Sequence, residues 1–319
     1  MTLACLFPGQ GTQSPGMGRT LAAAYPAAAR IYAEADARLD FPLSQVCWSG
    51  PDSRLGDITI QQLAIFTTSV AAFQAARSEG FHPRWVAGIS LGGFAAAVAA
   101  GALSFADGLR AVAARGRCMA AHAAAGGMYA IWGLPRPLLN AVLEDLARRG
   151  VAAYRAVRYG TAEHLVACPP EGGEPLSQAV AGHGGRIRRL PIPIPSHSPL
   201  MAASVPCLRR ALEELEWTDA VRPWIDDVNG RVLTSGAAIR EALTVQPVRE
   251  VRWPLLFRAL VRTGARTFLE CGPGTSISRL LRRRRPQLAV TAFDECLHWV
   301  APPAVLGAAG TAPPGRVSP

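Results

Sequence analysis

Lysine is absent from this sequence of 319 residues, so all 33 basic side chains are arginine. The absence excludes a lysine Schiff base and any phosphate-binding loop that depends on a lysine. Two interpretations of the arginine excess stay open: a coding bias, which we favour, and attraction to an acidic partner. The net charge of +10 bears on association and not on the fold.

Closely spaced cysteine pairs are also missing. The seven cysteines lie far apart and form no C-x-x-C motif. A secretory leader is not expected, because the first residues include no basic segment and the apolar run ends at Pro8 and Gly9. We therefore predict free thiols in a reducing cytoplasm, with neither a disulfide framework nor a zinc site.

Hydrophobic runs of membrane-spanning character are scarce. The uncharged segment 85–106 is nominally long enough, but its glycines and alanines make it weakly hydrophobic, so a buried helix is the better interpretation. No membrane partner is expected. Half of the residues are hydrophobic, which is enough for a sizeable core in one large or two modest domains.

What the sequence does contain is an alternation of short apolar runs and helical patterns. Four apolar runs end in turn residues and predict core strands at 3–7, 85–89, 224–228 and 267–271. Helical patterns separate them at 59–78, 105–122, 200–215, 254–263 and 275–284. The alternation predicts an α/β fold with a mostly parallel sheet, whose site lies at the carboxyl ends of the strands.

The middle of the chain has a different order of elements. Strands are predicted at 128–132, 151–157, 164–168 and 186–191, with helices at 137–149 and 176–182. This βαββαβ order predicts a small ferredoxin-like insert. We thus expect a hydrolase-like parallel-sheet subdomain from 1–125 and 196–299, the insert at 126–195, and a tail at 300–319 too poor in large side chains to order itself.

The pentapeptide Gly88-Ile89-Ser90-Leu91-Gly92 matches a motif, G-x-S-x-G, whose backbone geometry favours a reactive serine. A G-x-S-x-G turn between a strand and a helix lifts the serine oxygen out of the sheet and offers free N–H groups to a developing oxyanion. Ser90 is therefore a candidate nucleophile, and the alternative is a small residue in a packed helix. The predicted strand before it and helix after it favour the nucleophile.

A serine nucleophile needs a base, and His197 is the best placed of the six histidines. It follows LPIPIPS, a stiff and extended stretch that fixes a side chain at the junction between the insert and the larger part. A lone histidine in a loop is more often only a satisfied polar residue, so this position alone proves little.

Together these pieces resemble the malonyl-CoA:acyl carrier protein transacylase family. The similarity runs in order over about residues 3–298 and rests on six motifs. They are 7–13 (FPGQGTQ), 88–92 (GISLG), 115–119 (RGRCM), 195–197 (PSH), a distal loop at 239–243 with Gln246 and 251–253, and 270–274 (ECGPG).

The resemblance implies a role for each matching residue. Ser90 would attack the thioester carbonyl, and His197 would take its proton and return it to the departing thiol, as a Ser-His dyad. The main-chain carbonyl of Gln246 would orient the histidine. The backbone N–H groups of Gln10 and Leu91 would form the oxyanion hole.

Substrate choice is implied by Arg115, which stands in the family's substrate-arginine position. Its planar guanidinium would bind the free carboxylate of a malonyl group through two parallel hydrogen bonds. The implied reaction is ping-pong transfer through an O-malonyl serine, from malonyl-CoA to a phosphopantetheine-type thiol on an acyl carrier protein. It implies no metal or redox cofactor.

The segment 88–110 is similar in particular to the transacylase subunit of malonate decarboxylase. We therefore expect the carrier protein of that complex as acceptor, with its other subunits as further partners, in preference to fatty-acid or polyketide synthesis. Ile89 and Gly93 depart from the family, which has His and Glu there, and both are expected to line the cleft. Their effect on rate and acceptor choice stays open.

Two functions of other classes remain possible on the sequence. A serine esterase would use Ser90, Asp227 and His298, which occur in the chain order of that fold. A non-catalytic subunit with a decayed site is the other. The arginine run 282–285 ends a helical pattern and has no interleaved aromatics, so we expect no nucleic acid; an acidic carrier protein is the natural partner for it.

Overall fold

The computed structural model of the chain describes residues 2–296, and the predicted tail at 300–319 lies outside the described residues. In chain order the strands are β1 (Thr2–Phe7), β2 (Trp85–Gly88), β3 (Gly127–Trp132), β4 (Tyr154–Arg158), β5 (Glu163–Cys168), β6 (Arg186–Arg189), β7 (Trp224–Ile225), β8 (Val232–Leu233), β9 (Val251–Arg252), β10 (Ala265–Glu270) and β11 (Ala289–Ala292).

The α-helices divide into those before and those within or after the insert. The first seven are α1 (Arg19–Ala24), α2 (Pro26–Arg38), α3 (Leu43–Ser49), α4 (Asp52–Gly56), α5 (Ile58–Ser78), α6 (Gly92–Ala100) and α7 (Phe105–His122). The others are α8 (Arg136–Arg148), α9 (Gly173–Gly182), α10 (Ser204–Glu213), α11 (Gly236–Val245), α12 (Trp253–Arg262), α13 (Ser276–Arg284) and α14 (Phe293–Cys296). Short 3₁₀ turns occupy Pro170–Gly172, Pro199–Met201 and Gln246–Val248.

The larger sheet has the strand order β11–β10–β1–β2–β7–β8, and its pairs are parallel except β7 with β8. Strand β1 is central, and Ala4 to Phe7 within it are at most 1% exposed. Parallel strands covered on both faces need continuous apolar runs, which explains why this strand is recognisable in the sequence. The predicted α/β fold with a mostly parallel sheet is confirmed.

The smaller sheet has the order β6–β3–β5–β4–β9. Its first four strands are antiparallel neighbours in the ferredoxin-like order, with α8 and α9 packed on one face over an apolar cluster. The fifth strand, β9, comes from outside the predicted insert and pairs in parallel with β4. The smaller sheet therefore includes Val251 and Arg252, which the predicted boundary at 195 assigns to the larger subdomain.

Several predicted elements differ from those observed. The strand predicted at 224–228 ends at Ile225, because Asp226, Asp227 and the turn that follows carry polar groups that bond elsewhere. The distal loop expected at 239–243 is wrong, since these residues lie inside α11, which the side chain of Ser235 caps. Helices α1 to α4 were not predicted.

The expectation of free thiols is wrong for two of the seven cysteines. Cys118 in α7 and Cys207 in α10 form a disulfide, with their Cα atoms 5.7 Å apart. The two are 89 residues apart in the chain, and only the packing of the two helices brings them together. Four others, Cys5, Cys47, Cys168 and Cys271, are free and buried.

The two sheets meet through a shared apolar cluster. Leu6 and Ile89 from the larger sheet and its turn belong to the same buried cluster as Met128 and Val157 of the smaller sheet. Helices α12 and α13 complete it with apolar side chains. On the other face of the larger sheet, the main core packs against α5, α6 and α7. Among the described helices, none has both the length and the apolar character needed to cross a membrane.

Candidate active site

Ser90 lies on a sharp turn between β2 and α6, with a φ of 53° that non-glycine residues seldom adopt. Two glycines permit this turn. A Cβ on Gly88 would lie 2.0 Å from the carbonyl carbon of Gly92, and a Cβ on Gly92 would lie 2.2 Å from the carbonyl oxygen of Phe7. The strand, turn and helix therefore approach more closely than any side chain would allow, and strain of this kind often marks a functional residue.

The hydroxyl of Ser90 meets the imidazole of His197, which comes from a segment 107 residues later. Ser90 Oγ lies 2.7 Å from His197 Nε2, and His197 Nδ1 lies 3.0 Å from the main-chain oxygen of Gln246. A carbonyl can only accept, so Nδ1–H donates to it and Nε2 is left free to accept the serine proton. His197 also has a positive φ, of 61°.

His197 is held in the neutral form that a general base needs. The side chain is 4% exposed, and burial, followed by the positive charge of Arg115, lowers its pKa from 6.5 to about 4. Hydrogen bonding to Gln246 acts in the opposite direction and only partly offsets these effects. The imidazole is therefore neutral at neutral pH, which is the form that can take a proton.

Arg115 projects from α7 to the same point. Its Nη2 donates to Ser90 Oγ at 3.3 Å and its Nη1 donates to Gln62 Oε1 at 2.6 Å. The residue is fully buried, and its Nε has no hydrogen-bond partner within residues 2–296. Burial lowers the pKa of Arg115 to about 10, with the charge of Asp227 opposing the shift, so the guanidinium remains charged at neutral pH.

Asp227 is hydrogen-bonded both to the serine turn and to Gln246, the residue whose carbonyl accepts from His197. Its carboxylate accepts the backbone N–H of Ser90 at 2.7 Å and the side-chain amide of Gln246 at 3.0 Å. Burial and the neighbouring charge of Asp226 raise the pKa of Asp227 to about 7. In the esterase hypothesis Asp227 would support His298, which lies outside the described residues; here its carboxylate is occupied by Ser90 and Gln246.

The two residues expected to form an oxyanion hole are Leu91, next to Ser90 in the chain, and Gln10, in a loop that passes the serine turn. Leu91 is the N-cap residue of α6, where backbone N–H groups have no partner inside the helix. Gln10 lies in the loop after β1, which passes close to the turn: a Cβ on Gly9 would be 2.8 Å from the carbonyl oxygen of Ile89. The side chain of Gln10 donates to Gln61 at 2.8 Å.

The two departures from the family motif have separate surroundings. Ile89 is 8% exposed and belongs to the apolar cluster between the sheets. A Cβ on Gly93 would lie 2.9 Å from Leu243 and 3.4 Å from Trp224, whose indole donates to the Gly93 carbonyl. Gly93 therefore packs against neighbouring side chains rather than facing an open cleft.

Sequence reasoning missed the two groups that hold the others in place. Gln62 was not singled out, although an amide pair at 61 and 62 on the buried helix α5 is a signal of buried polar contacts. Asp227 was considered only as an esterase residue. Within the described chain no group of three or more His, Cys, Asp or Glu side chains is placed to hold a metal ion.

Comparisons with known proteins agree with this geometry. A model of the acyl transferase domain family matches residues 5–278. The malonyl CoA-acyl carrier protein transacylase of Bacillus subtilis strain 168 is 34% identical over 297 residues, covering 92% of this chain and 93% of that protein.

Solved structures give the same picture. The structure of the malonyl CoA-acyl carrier protein transacylase from Coxiella burnetii matches with a TM-score of 0.88 at 29% identity, covering 92% of this chain and 94% of the other. A malonyl-transacylase solved in complex with a type II polyketide synthase acyl carrier protein matches with a TM-score of 0.87 at 30% identity, covering 92% and 96%.

Proposed function

The chain belongs to the acyl transferase domain family and is an acyltransferase, and from this premise we propose that it transfers malonyl groups from malonyl-CoA to the thiol of an acyl carrier protein. The relatives named above are malonyl transacylases, and one was solved with its carrier protein bound. The proposed reaction is ping-pong and uses no metal or redox cofactor.

The observation that carries the proposal is the buried charge of Arg115. Within residues 2–296 no carboxylate is hydrogen-bonded to Arg115, and the nearby charge of Asp227 offsets only part of the cost of burying the guanidinium. Its Nη2 lies 3.3 Å from the serine oxygen, so a carboxylate bound by Arg115 belongs to a molecule reacting at Ser90. Malonyl groups carry such a carboxylate two bonds from the thioester carbonyl, and acetyl groups do not.

In the first half-reaction, Ser90 Oγ attacks the thioester carbonyl carbon while His197 Nε2 accepts the hydroxyl proton. The negative charge on the carbonyl oxygen would be stabilised by the backbone N–H groups of Gln10 and Leu91; losing one such donor typically costs about 3 to 4 kcal/mol. The carbon–sulfur bond then breaks, and the proton on His197 passes to the departing CoA sulfur.

The second half-reaction reverses these roles. The carrier thiol gives its proton to His197 and its sulfur attacks the acyl-serine carbonyl. The ester bond to Ser90 Oγ breaks, and the same proton returns to the serine oxygen. Throughout, the Nδ1–H of His197 donates to the carbonyl of Gln246, which stabilises the imidazolium that forms in each half-reaction.

Acyl-enzyme trapping tests the proposal. Wild-type protein incubated with malonyl-CoA labelled in the malonyl group should carry label on the peptide containing Ser90, and Ser90→Ala should carry none. Labelled acetyl-CoA at the same concentration is the control for Arg115 and should label far more slowly. A wild-type protein without label on Ser90 would leave only the non-catalytic hypothesis.

For the acceptor we propose the carrier protein of malonate decarboxylase, supported by the similarity of segment 88–110 to that complex's transacylase subunit. Transfer rates to this carrier and to a fatty-acid carrier, measured with one preparation of malonyl-enzyme, distinguish the two. Faster transfer to the decarboxylase carrier is expected. Equal rates, or faster transfer to the fatty-acid carrier, would contradict the choice.

A further inference from the structure

The loop between β1 and α1 carries the backbone N–H of Gln10, which the proposed function places in the oxyanion hole. The loop lies against the serine turn, because a Cβ on Gly9 would be 2.8 Å from the carbonyl oxygen of Ile89 and 3.6 Å from the Cβ of Ser90. The N–H of Gln10 belongs to the next peptide and makes no hydrogen bond to another described residue. It is therefore available to a negative charge that develops beside Ser90.

The composition of this loop does not make its backbone rigid. Four of the residues 9–18 are glycine, the residue that leaves the chain most conformational freedom. Within the loop, Thr12 donates to the carbonyl of Gly9 at 3.0 Å, and Gln13 accepts from the N–H of Gly11 at 3.0 Å. These bonds do not join the loop to the rest of the molecule. An oxyanion donor must be held within about 0.5 Å of its productive position, so contacts outside the loop matter for catalysis.

The side chain of Gln10 makes such a contact. Its Nε2 donates to Oε1 of Gln61 at 2.8 Å, across 51 residues of sequence. Gln61 lies near the start of α5 and is 5% exposed. The start of this helix is fixed by Asp57, whose side chain accepts from the backbone N–H groups of Thr59 and Ile60. The loop is thus attached to a buried and capped helix.

The orientation of the Gln61 amide is determined by its second partner. Its Nε2 donates to the main-chain oxygen of Leu55 at 3.3 Å, and a carbonyl oxygen can only accept. The amide oxygen of Gln61 therefore faces Gln10, and the Gln10 amide must present its NH₂ group. Because each amide has one compatible orientation, the contact holds the loop in one position.

The next residue on α5 holds another part of the site. Oε1 of Gln62 accepts from Nη1 of Arg115 at 2.6 Å. Consecutive residues of a helix point about 100° apart, so Gln61 and Gln62 reach two different elements from one turn of α5. The position of the loop relative to Arg115 therefore depends on this one helix.

We propose that Gln61 is a positioning residue: through the side chain of Gln10, it holds the backbone N–H of Gln10 where the oxyanion forms. The assignment rests on the proposed function, which gives that N–H its part in catalysis. Gln61 would contact neither the acyl donor nor the serine. Its removal should therefore slow the chemical step and leave donor binding unchanged.

Gln61→Met, Gln10→Met and the double variant test the assignment. Methionine is an unbranched side chain like glutamine, but it has no amide to donate or accept. Each single variant should lower kcat for malonyl transfer about tenfold, with the KM for malonyl-CoA unchanged, because the oxyanion donor loses its fixed position. Gln178→Met is the matched control: it removes an exposed 2.8 Å side-chain bond to Glu174 on α9 and should leave kcat unchanged.

The double variant distinguishes one shared contact from two separate effects. If Gln61 acts through Gln10, the double variant should be no slower than the slower single variant. A slowing equal to the product of the single effects, about hundredfold, would overturn the assignment. So would an unchanged kcat in either single variant, or a raised KM with an unchanged kcat. Gln10 is half-buried in a loop, so Gln10→Met tests the contact even where Gln61→Met destabilises α5.

A small fluorophosphonate separates this test from that of the proposed function. Its reaction with Ser90 joins Oγ to phosphorus, expels fluoride and passes the hydroxyl proton to His197, while the phosphoryl oxygen lies in the oxyanion hole. Neither CoA nor a malonyl group takes part. Phosphonylation of Ser90, followed by mass spectrometry, should be about tenfold slower in both single variants than in wild type.

Equal phosphonylation rates in wild type and the single variants would overturn the assignment to Gln61. Wild-type protein that is phosphonylated on Ser90 but never malonylated would contradict the proposed function alone. In that case slower phosphonylation of the two variants would still support the positioning of Gln10 by Gln61.

Discussion

At the scale of single residues, two groups, Asp227 and Gln246, hold the serine and the histidine of the site in place. Asp227 accepts from the backbone of Ser90 and from the side chain of Gln246, while the main chain of Gln246 accepts from His197. One carboxylate thus connects the nucleophile with the support of its base. Because Asp227 is 1% exposed, its charge is costly, and its raised pKa expresses that cost.

Replacing Asp227 by asparagine or by alanine distinguishes the effect of its charge on stability from the effect of its hydrogen bonds. The pKa of Asp227 is raised from 3.8 to about 7 on folding, so stability it contributes at low pH is lost as the pH rises through about 7. Asp227→Asn, which keeps an acceptor for Ser90 N–H and has no charge to bury, should be more stable than wild type at pH 8. The difference in stability between the two proteins should vanish near pH 4, where Asp227 is protonated. The asparagine amide can also donate to Oε1 of Gln246, which has no partner among the described residues.

Asp227→Ala is the contrasting variant, because it leaves the N–H of Ser90 without an acceptor. It should lose about 1 to 3 kcal/mol of stability and acylate Ser90 more slowly. Urea unfolding at pH 4 and pH 8, with acylation rates alongside, measures both effects. An asparagine variant that is less stable than wild type at pH 8 would contradict the argument.

Arg115 should influence catalysis through charge as well as through substrate contact. Its positive charge helps to lower the pKa of His197 to about 4, so activity should be lost only as the pH falls through about 4. Arg115→Gln removes the charge and should move this acid limb of kcat/KM to higher pH. Arg115→Lys keeps a charge and should leave the limb near its wild-type position.

Both variants lose the planar fork and should transfer malonyl groups at least roughly tenfold less efficiently. Profiles of kcat/KM against pH for the two variants and wild type make the comparison. If glutamine and lysine at position 115 shift the limb equally, the charge of Arg115 does not act on His197.

At the scale of elements, the serine turn requires three segments to approach without side chains. Strand β2, helix α6 and the end of β1 meet at Gly88 and Gly92, where backbone atoms would collide with any Cβ. The apolar side chains of β1 and β2 and the alanines of α6 bury this junction. The close packing holds Ser90 at a positive φ that an isolated turn would not maintain.

Gly88→Ala tests this junction. A Cβ there would lie 2.0 Å from a backbone carbon, which cannot rotate away as a side chain could. We expect a loss of more than about 3 kcal/mol of stability, or no folded protein. Gly182→Ala at the end of α9, where nothing lies within 4 Å, is the control and should be neutral or stabilising by up to about 1 kcal/mol. Equal effects of the two changes on thermal unfolding would refute the steric argument.

At the scale of the whole molecule, the reacting groups come from different parts of the chain. Ser90 and Arg115 belong to elements of the larger sheet and its helices, whereas His197 follows the last strand of the insert. The subdomain boundaries expected from the sequence, 1–125 with 196–299 and 126–195, stay a prediction. The pairing of β9 with β4 and the shared apolar cluster join these two parts.

The net charge of +10 gives the whole molecule a positive field, and an acidic carrier protein would be attracted to it. Raising the ionic strength from about 0.05 M to 0.5 M should therefore raise the KM for the carrier several-fold, because screening shortens the range of this attraction. Pantetheine, a neutral thiol acceptor, is the control and should show little change. A salt effect of the same size on both acceptors would indicate a change in the enzyme itself.

Much of the site was predictable from the sequence. The turn at 88–92 is a local structure, so its glycines, apolar strand and following helix indicate Ser90 without tertiary information. The same holds for β1, whose buried residues form one continuous apolar run. Motifs that match the family in order pointed to Arg115 and His197, which the structure brings within 3.3 Å and 2.7 Å of the serine oxygen.

Tertiary structure alone decided the supporting contacts. Gln62 meets Arg115, Asp227 meets Ser90, and Cys118 meets Cys207 across 53, 137 and 89 residues of sequence. No local periodicity encodes such pairings, because each depends on how helices and strands pack after they form. For the same reason the sequence showed the arginine run at 282–285 but not the cavity beside it, because the fold alone assembles arginines from residue 136 to residue 285 around one space.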